Sequence, residues 1–174
     1  MKYLVKFFVV TFFLLISTTS FAEQKIVYID MTFVLNNSKA GKGAQDYLKK
    51  AISDNQKKFA DTEKKLKNEE ADLIGKKNDM TKEEYKKYSD ALRTKVIDYQ
   101  KQRKEVFDKI TKQRSDARKK LLEKVTPILE NYANENNISL VLDKKSLIIS
   151  TPETDITSII VEKLNTELPS LSLK

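Results

Sequence analysis

The residues that most often carry covalent or metal chemistry are absent, since the 174-residue chain has no cysteine and no histidine. Thiol nucleophiles, thiolate metal sites, disulfides and the imidazole that commonly serves as general base are therefore excluded. Its three glycines, Gly41, Gly43 and Gly75, do not fall in a G-x-x-x-x-G-K phosphate loop, so nucleotide-driven work has no motif to rest on. Lys, Ser, Asp and Glu could make a site without histidine, but paired carboxylates on solvated helices usually form surface ion pairs. The expectation is no enzyme, no cofactor and no metal. What remains is capture by charge and apolar contact. Lys76, Lys77, Lys86, Lys87 and Arg93 crowd into one stretch with Tyr85 and Tyr88, and Phe59, Leu66, Leu73 and Tyr99 punctuate the sequence on either side. Such a mixture can hold an acidic, partly apolar partner through many weak contacts whose free energies add.

These candidates sit in the middle of the chain, where almost everything favours helix. Residues 39–136 are nearly uninterrupted helix-forming sequence, with one strong break at Gly75 to Thr81 (GKKNDMT). Gly75 can end one helix in a left-handed turn. Thr81 followed by Glu84 has the capping-box spacing that starts the next. The result is an antiparallel helical hairpin with a polar tip near 75–81. Ile52, Phe59, Leu66 and Leu73 recur every seven residues on the outgoing arm, with Asn55, Thr62 and Glu69 where a second seam residue belongs. On the return arm Leu92, Val96, Tyr99, Arg103, Val106, Ile110, Gln113 and Ala117 step alternately by four and three. That is coiled-coil spacing with polar substitutions, which soften the seam and let the arms spread. Pro127 is expected to kink or restart the return arm, with Thr126 as a cap.

Charge is concentrated on the same stretch. Residues 39–136 hold 26 basic and 18 acidic side chains, whereas 23–38 and 137–174 each carry a net charge of −1. The plain reading is a solvated helix surface, and the functional one is a cationic clamp for acidic partners. Likewise, the sparse seam is by default arm-to-arm packing. Yet Tyr47, Phe59, Tyr85, Tyr88, Tyr99 and Phe107 exceed what a thin two-helix contact buries, which leaves apolar patches able to hold unfolded chains.

The ends of the chain supply the frame. Lys2 and Lys6 precede the apolar run Phe7 to Ile16, followed by small residues at Ser20 and Ala22. This is the pattern of a signal peptide cut after Ala22, giving an exported protein and making nucleic acid a poor partner. Lys25 to Asp30 (KIVYID) reads as a buried strand and Met31 to Asn37 as a short helical turn, with Ser38 as a cap. Ser139 to Asp143 and Leu147 to Ser150 read as two further strands around a tight DKKS turn. Beyond Pro152, Asp155 can cap a final helix reaching to about Leu168. The segments Ile26-Val27-Tyr28-Ile29, Leu140-Val141-Leu142 and Leu147-Ile148-Ile149 are apolar toward both faces. Three short strands and one helix cannot cover all of that in one subunit, so oligomerisation through them is expected. The organisation expected is a signal peptide over 1–22, a β-strand body from 23–38 and 137–174, and helical arms over 39–136.

The stretch KIVYIDMTFVLNNSKAGKGAQDYLKK, with its strand, aspartate, helical turn and S-x-A-G-K-x-A-Q run, resembles the OmpH-like (Skp) family of periplasmic chaperones. So does ISLVLDKKSLIISTPETDITSIIVEKLN, with its LVLD strand, following strand, proline and DIT-led helix. The resemblance covers essentially the whole exported chain and implies an α+β, mostly helical fold. In that fold a long antiparallel α-helical hairpin, or tentacle, projects from a small β-body completed by oligomerisation. It implies a homotrimer built on strands at Ile26 to Ile29, Leu140 to Leu142 and Leu147 to Ile149. It further implies an ATP-independent periplasmic holdase that binds unfolded outer-membrane or envelope proteins and prevents their aggregation. Some family members contact lipopolysaccharide, and no residue pattern of this chain carries that lipopolysaccharide or membrane-surface contact. Pro127 departs from the family pattern. The alternative function is a structural or adaptor coiled coil of the cell envelope, which would need one folded partner instead of many unfolded ones.

Overall fold

The computed structural model describes residues 24–173. The leader and its cut after Ala22 lie outside the described residues. Strand β1, Lys25–Ile29, leads through Asp30 into helix α1, Met31–Asn37. Asp30 starts that helix by accepting a hydrogen bond from the Phe33 N–H at 2.8 Å. Ser38 ends it and caps the next, since its fully buried hydroxyl accepts from the Gly41 N–H at 3.1 Å. Gly41 has to be glycine here, because a Cβ would lie 1.9 Å from the Leu35 carbonyl oxygen.

The arms follow as α2, Lys39–Gly75, and α3, Lys82–Glu135, of 37 and 54 residues. At ~1.5 Å per residue they reach about 55 and 80 Å. Their length comes from local chemistry, because strong helix formers dominate. Exposed i,i+4 ion pairs such as Lys50–Asp54, Glu63–Lys67 and Lys112–Asp116, at 2.7, 3.0 and 2.6 Å, support them. Each such pair adds only about 0.2–0.5 kcal/mol. The capping box forms as its spacing requires: the Glu84 N–H donates to Thr81 Oγ1 at 3.2 Å and the Thr81 N–H to Glu84 Oε2 at 3.0 Å.

Two helix details differ from expectation. Gly75 does not turn left-handed, since the chain passes through Lys76 into a single 3-10 turn, Lys77–Asp79, and needs no positive φ there. The left-handed residue is instead Asn137, at φ 53°, where α3 hands over to the second strand. Asparagine is among the few side chains that tolerate that conformation. Pro127 does not restart α3, and Thr126 is no cap. Thr126 lies inside the helix and its hydroxyl donates back to the Leu122 carbonyl at 2.9 Å. Val125 and Ile128 are buried on either side, so core packing holds the helix through the missing proline N–H.

The second strand, β2, Ile138–Asp143, pairs parallel to β1, with Ile26 opposite Leu140, Val27 opposite Val141 and Tyr28 opposite Leu142. The whole hairpin is thus the crossover between two adjacent parallel strands. On its other edge β1 takes a bridge from Asp155, with the Ile156 N–H donating to the Tyr28 carbonyl at 3.0 Å. Helix α4, Thr157–Glu167, then packs over the sheet. Ile160 and Leu164 are fully buried against Val27, Ile29, Val34, Leu121, Val125 and Ile128. Burying an aliphatic side chain of this size is worth roughly 1.5–3 kcal/mol, so this cluster is where α4 stabilises both the sheet and the arm roots. The Asp30 N–H donates to Thr157 Oγ1 at 2.8 Å, and the Lys39 N–H to Asn165 Oδ1 at 2.6 Å.

The expected third strand is corrected. Lys144–Ser146 forms one 3-10 turn, and Leu147 to Ser150 runs on without a pairing partner. β1 is flanked by β2 and by Asp155, the outer edge of β2 stays unpaired, and the 3-10 turn carries the segment away from the sheet. Ile148 is 99% and Ile149 88% exposed.

Candidate functional site

Beyond the roots the arms change character. Ala40, Ala44 and Leu48 of α2 and Ala117 and Leu121 of α3 are buried, and then the seam thins. Ile52, Phe59, Leu66 and Leu73 meet Leu92, Val96, Tyr99, Val106 and Ile110 as half-buried side chains, so the seam predicted from spacing is present. Arg103, predicted within it, swings out to solvent. Its guanidinium lies 5.8 Å from the Tyr99 ring centroid, a cation–π distance. Tyr99 in turn meets Phe59 edge to face, with centroids 5.9 Å apart, and its hydroxyl donates to the Phe59 carbonyl at 3.4 Å. Lys95 and Glu69 tie the arms at 2.7 Å, but both are largely exposed and the pair contributes little.

The transition from packed root to thin seam falls at Gln113. Its side chain is only 7% exposed, and its Nε2 donor finds no acceptor. A buried amide left unpaired costs about 1–3 kcal/mol, so this is a weak point in the arm contact.

A thin seam between long helices leaves open grooves. The one nearest the tip encloses about 600 Å³ and brings together Leu66, Leu73, Tyr85, Arg93 and Tyr99 of the residues singled out by sequence. Glu63 also lines it, held below the usual carboxylate range by its hydrogen bond and charge contact with Lys67, with smaller help from Arg103 and Tyr99. Lys77 stands 5.5 Å over the Tyr85 ring. The next groove toward the root, about 520 Å³, contains Phe59 with Ile52, Val106, Phe107 and Ile110. Lys76, Lys86, Lys87 and Tyr88 are exposed or nearly so and line neither groove. Of the assembly candidates, Val27, Tyr28 and Ile29 are buried within the subunit, and Val141 and Leu142 are half-buried. Ile26 and Leu140 stand largely exposed, as do Ile148 and Ile149.

Sequence reasoning placed Arg103 in the seam and Phe107 among the partly exposed aromatics but passed over Lys104 and Arg114, and all four line the middle groove. The signal was available: Arg93, Gln100, Phe107 and Arg114 repeat every seven residues beside the seam. Among the described residues no cluster of acidic side chains has a metal-holding arrangement. No described helix is long and apolar enough to cross a membrane.

A root of two parallel strands and a packed helix, carrying two long helices with open cation-bordered grooves, defines the class. The chain belongs to the OmpH-like outer membrane protein family, whose model matches residues 25–164. It is 26% identical over 172 residues to a Skp-like protein of Pseudomonas aeruginosa, spanning 95% of this chain and 98% of that one. The crystal structure of an OmpH-like outer membrane chaperone from Caulobacter crescentus shares the fold, with a TM-score of 0.79. The identity there is 18%, over 87% of this chain and 89% of that one. Family membership supports a chaperone role.

Proposed function

We propose that the chain is an ATP-independent holdase of the periplasm that binds unfolded outer-membrane or envelope proteins between its arms and prevents their aggregation. The observation that carries this reading is the row of open apolar grooves on a hairpin that bears all the excess positive charge of residues 23–174. An unfolded chain offers apolar side chains and carboxylates at many points, and weak contacts to both add without demanding a sequence. The long-range field of the arms raises the rate of encounter with acidic segments. A homotrimer, with the hairpins as tentacles around a shared space, suits the exposed Ile26, Leu140, Ile148 and Ile149, which a single subunit leaves uncovered.

The test is client capture by variants of the arm cations. Reversing Lys76, Lys77, Lys86, Lys87 and Arg93 to glutamate is expected to weaken capture of an unfolded β-barrel protein, most strongly at low salt, where screening is least. Capture indifferent to both charge reversal and ionic strength would refute the cationic clamp. A single folded partner bound stoichiometrically, with no suppression of aggregation, would favour an envelope adaptor instead.

A further inference from the structure

The residues beside the arm seam on one side recur every seven positions, as Lys49, Gln56, Glu63 and Glu70 on α2 and Arg93, Gln100, Phe107 and Arg114 on α3. Successive grooves share Arg103, then Ile52 and Arg114, so these positions border one furrow running from tip to root. Its charge is uneven. The tip section contains Glu63 and Glu70 beside Lys67 and Arg93. The middle section has Arg103, Lys104 and Arg114 and no carboxylate at all.

Phe107 lies in that middle section and is 69% exposed, more than any other large apolar side chain described on the arms. Phe59 lines the same groove and meets Tyr99 edge to face, with Arg103 over the Tyr99 ring. A few arm cations, such as Lys50, Lys67 and Lys112, are held by a carboxylate four residues away, while most are not. Among the described residues Arg103, Lys104 and Arg114 make no ion pair. An uncovered aromatic and three cations without an ion pair therefore share one groove whose lining holds no carboxylate.

Resting on the holdase reading above, we propose that this mid-arm groove is a subsite for client segments in which a large apolar side chain is flanked by carboxylates. The apolar group lodges against Phe107, Phe59 and Val106, and the carboxylates meet Arg103, Lys104 and Arg114. Arginine suits the task, since its planar fork pairs with carboxylates in two parallel hydrogen bonds. At about 520 Å³ the groove takes a few side chains of an unfolded segment and not a folded domain. Holding is then biased in favour of acidic-aromatic stretches over basic ones, instead of being indifferent to sequence.

The chain has no tryptophan, so Phe107→Trp reports on this groove alone. The exported protein carrying it is titrated with three tryptophan-free peptides of equal length. One has phenylalanine among aspartates and glutamates, one has the same phenylalanine among lysines, and one has the acidic surround with serine for phenylalanine. The first is expected to shift the emission to the blue and to bind about tenfold more tightly than either of the others at low salt. Adding Arg103→Glu with Arg114→Glu should reverse the preference toward the basic peptide, whereas Lys25→Glu with Lys145→Glu, exposed on the body, should leave it unchanged. The same preparations are assayed for keeping a denatured β-barrel protein soluble. Equal affinity for all three peptides, or equal loss in the body variant, overturns the subsite and leaves the holdase reading standing if the client stays soluble. If the client aggregates as well, both fall together. A blue shift that grows with protein concentration in the absence of peptide assigns the groove to a second copy of the chain and overturns the proposal.

Discussion

Asp155 shows how much of the body rests on single polar contacts. Burial works to raise its carboxyl, but hydrogen bonds from the Thr157 hydroxyl and N–H, and from the Tyr28 hydroxyl, outweigh it and hold the group below the ordinary carboxylate range. The folded value therefore lies under the unfolded one of about 3.9. The stability it supplies is complete above that unfolded value and is lost as pH falls through the depressed folded one. Asp155→Ala should cost about 1 kcal/mol at neutral pH, as loss of a carboxylate bonded to a helix N-terminus does, and should flatten this part of the acid-denaturation profile. Urea melts at pH 7 and pH 3 check both, and an unchanged pH dependence would show the contact to be inert. Sequence marked Asp155 as the cap; Ile156 takes the cap position instead, and Asp155 accepts from the Thr157 N–H at 2.9 Å from one residue earlier. Its bridge to β1 was not legible, because it depends on a neighbour 127 positions away. Asn137 was missed for a related reason: Gly75 offered the more obvious left-handed residue, and only the geometry at the end of α3 decides where one is needed.

At the scale of elements, the arms were readable because local propensity, capping and heptad spacing agree along them. Gln113 is the point where they disagree. Replacing it with leucine removes a buried donor that has no acceptor and fills the seam, so Gln113→Leu should stabilise the arm roots by about 1–2 kcal/mol. Amide hydrogen exchange on both arms measures it: slower exchange around Leu48 and Ala117 is expected, and faster exchange would mean that the amide is satisfied in solution. Such a variant also tests whether a soft seam matters, since client capture should slow if the arms must part to admit a chain. The restart expected at Pro127 does not occur, and the helix-breaking rule behind it ignores burial. Val125 and Ile128 anchor the turns on either side of it, and that packing overrides the local cost. Arg114 escaped notice, and Arg103 was read as a seam residue, because the spacing was read for packing between the arms while the groove is bordered by what flanks the seam.

For the molecule as a whole, the segment from Leu147 to Ser150 is the most instructive departure. Its apolar, β-branched residues carry the signature of a strand, yet inside one chain it pairs neither with β1, which is flanked on both sides, nor with the open outer edge of β2. Strand signals report a tendency to pair, not the presence of a partner. Because Ile148 and Ile149 are nearly bare in the subunit, Ile148→Asp with Ile149→Asp should leave its helix content intact while lowering the oligomer mass. Ile29, by contrast, lies in the subunit's own core, where a charge would unfold the body and say nothing of assembly. The central claim, passive retention of unfolded envelope proteins, is most directly tested by sedimentation velocity. A urea-denatured β-barrel protein is diluted into the exported form of this chain without nucleotide. The account predicts one soluble boundary in which client and a whole oligomer travel together, dispersed by high salt. Client pelleting as it does in buffer alone, with this chain sedimenting by itself, would contradict it.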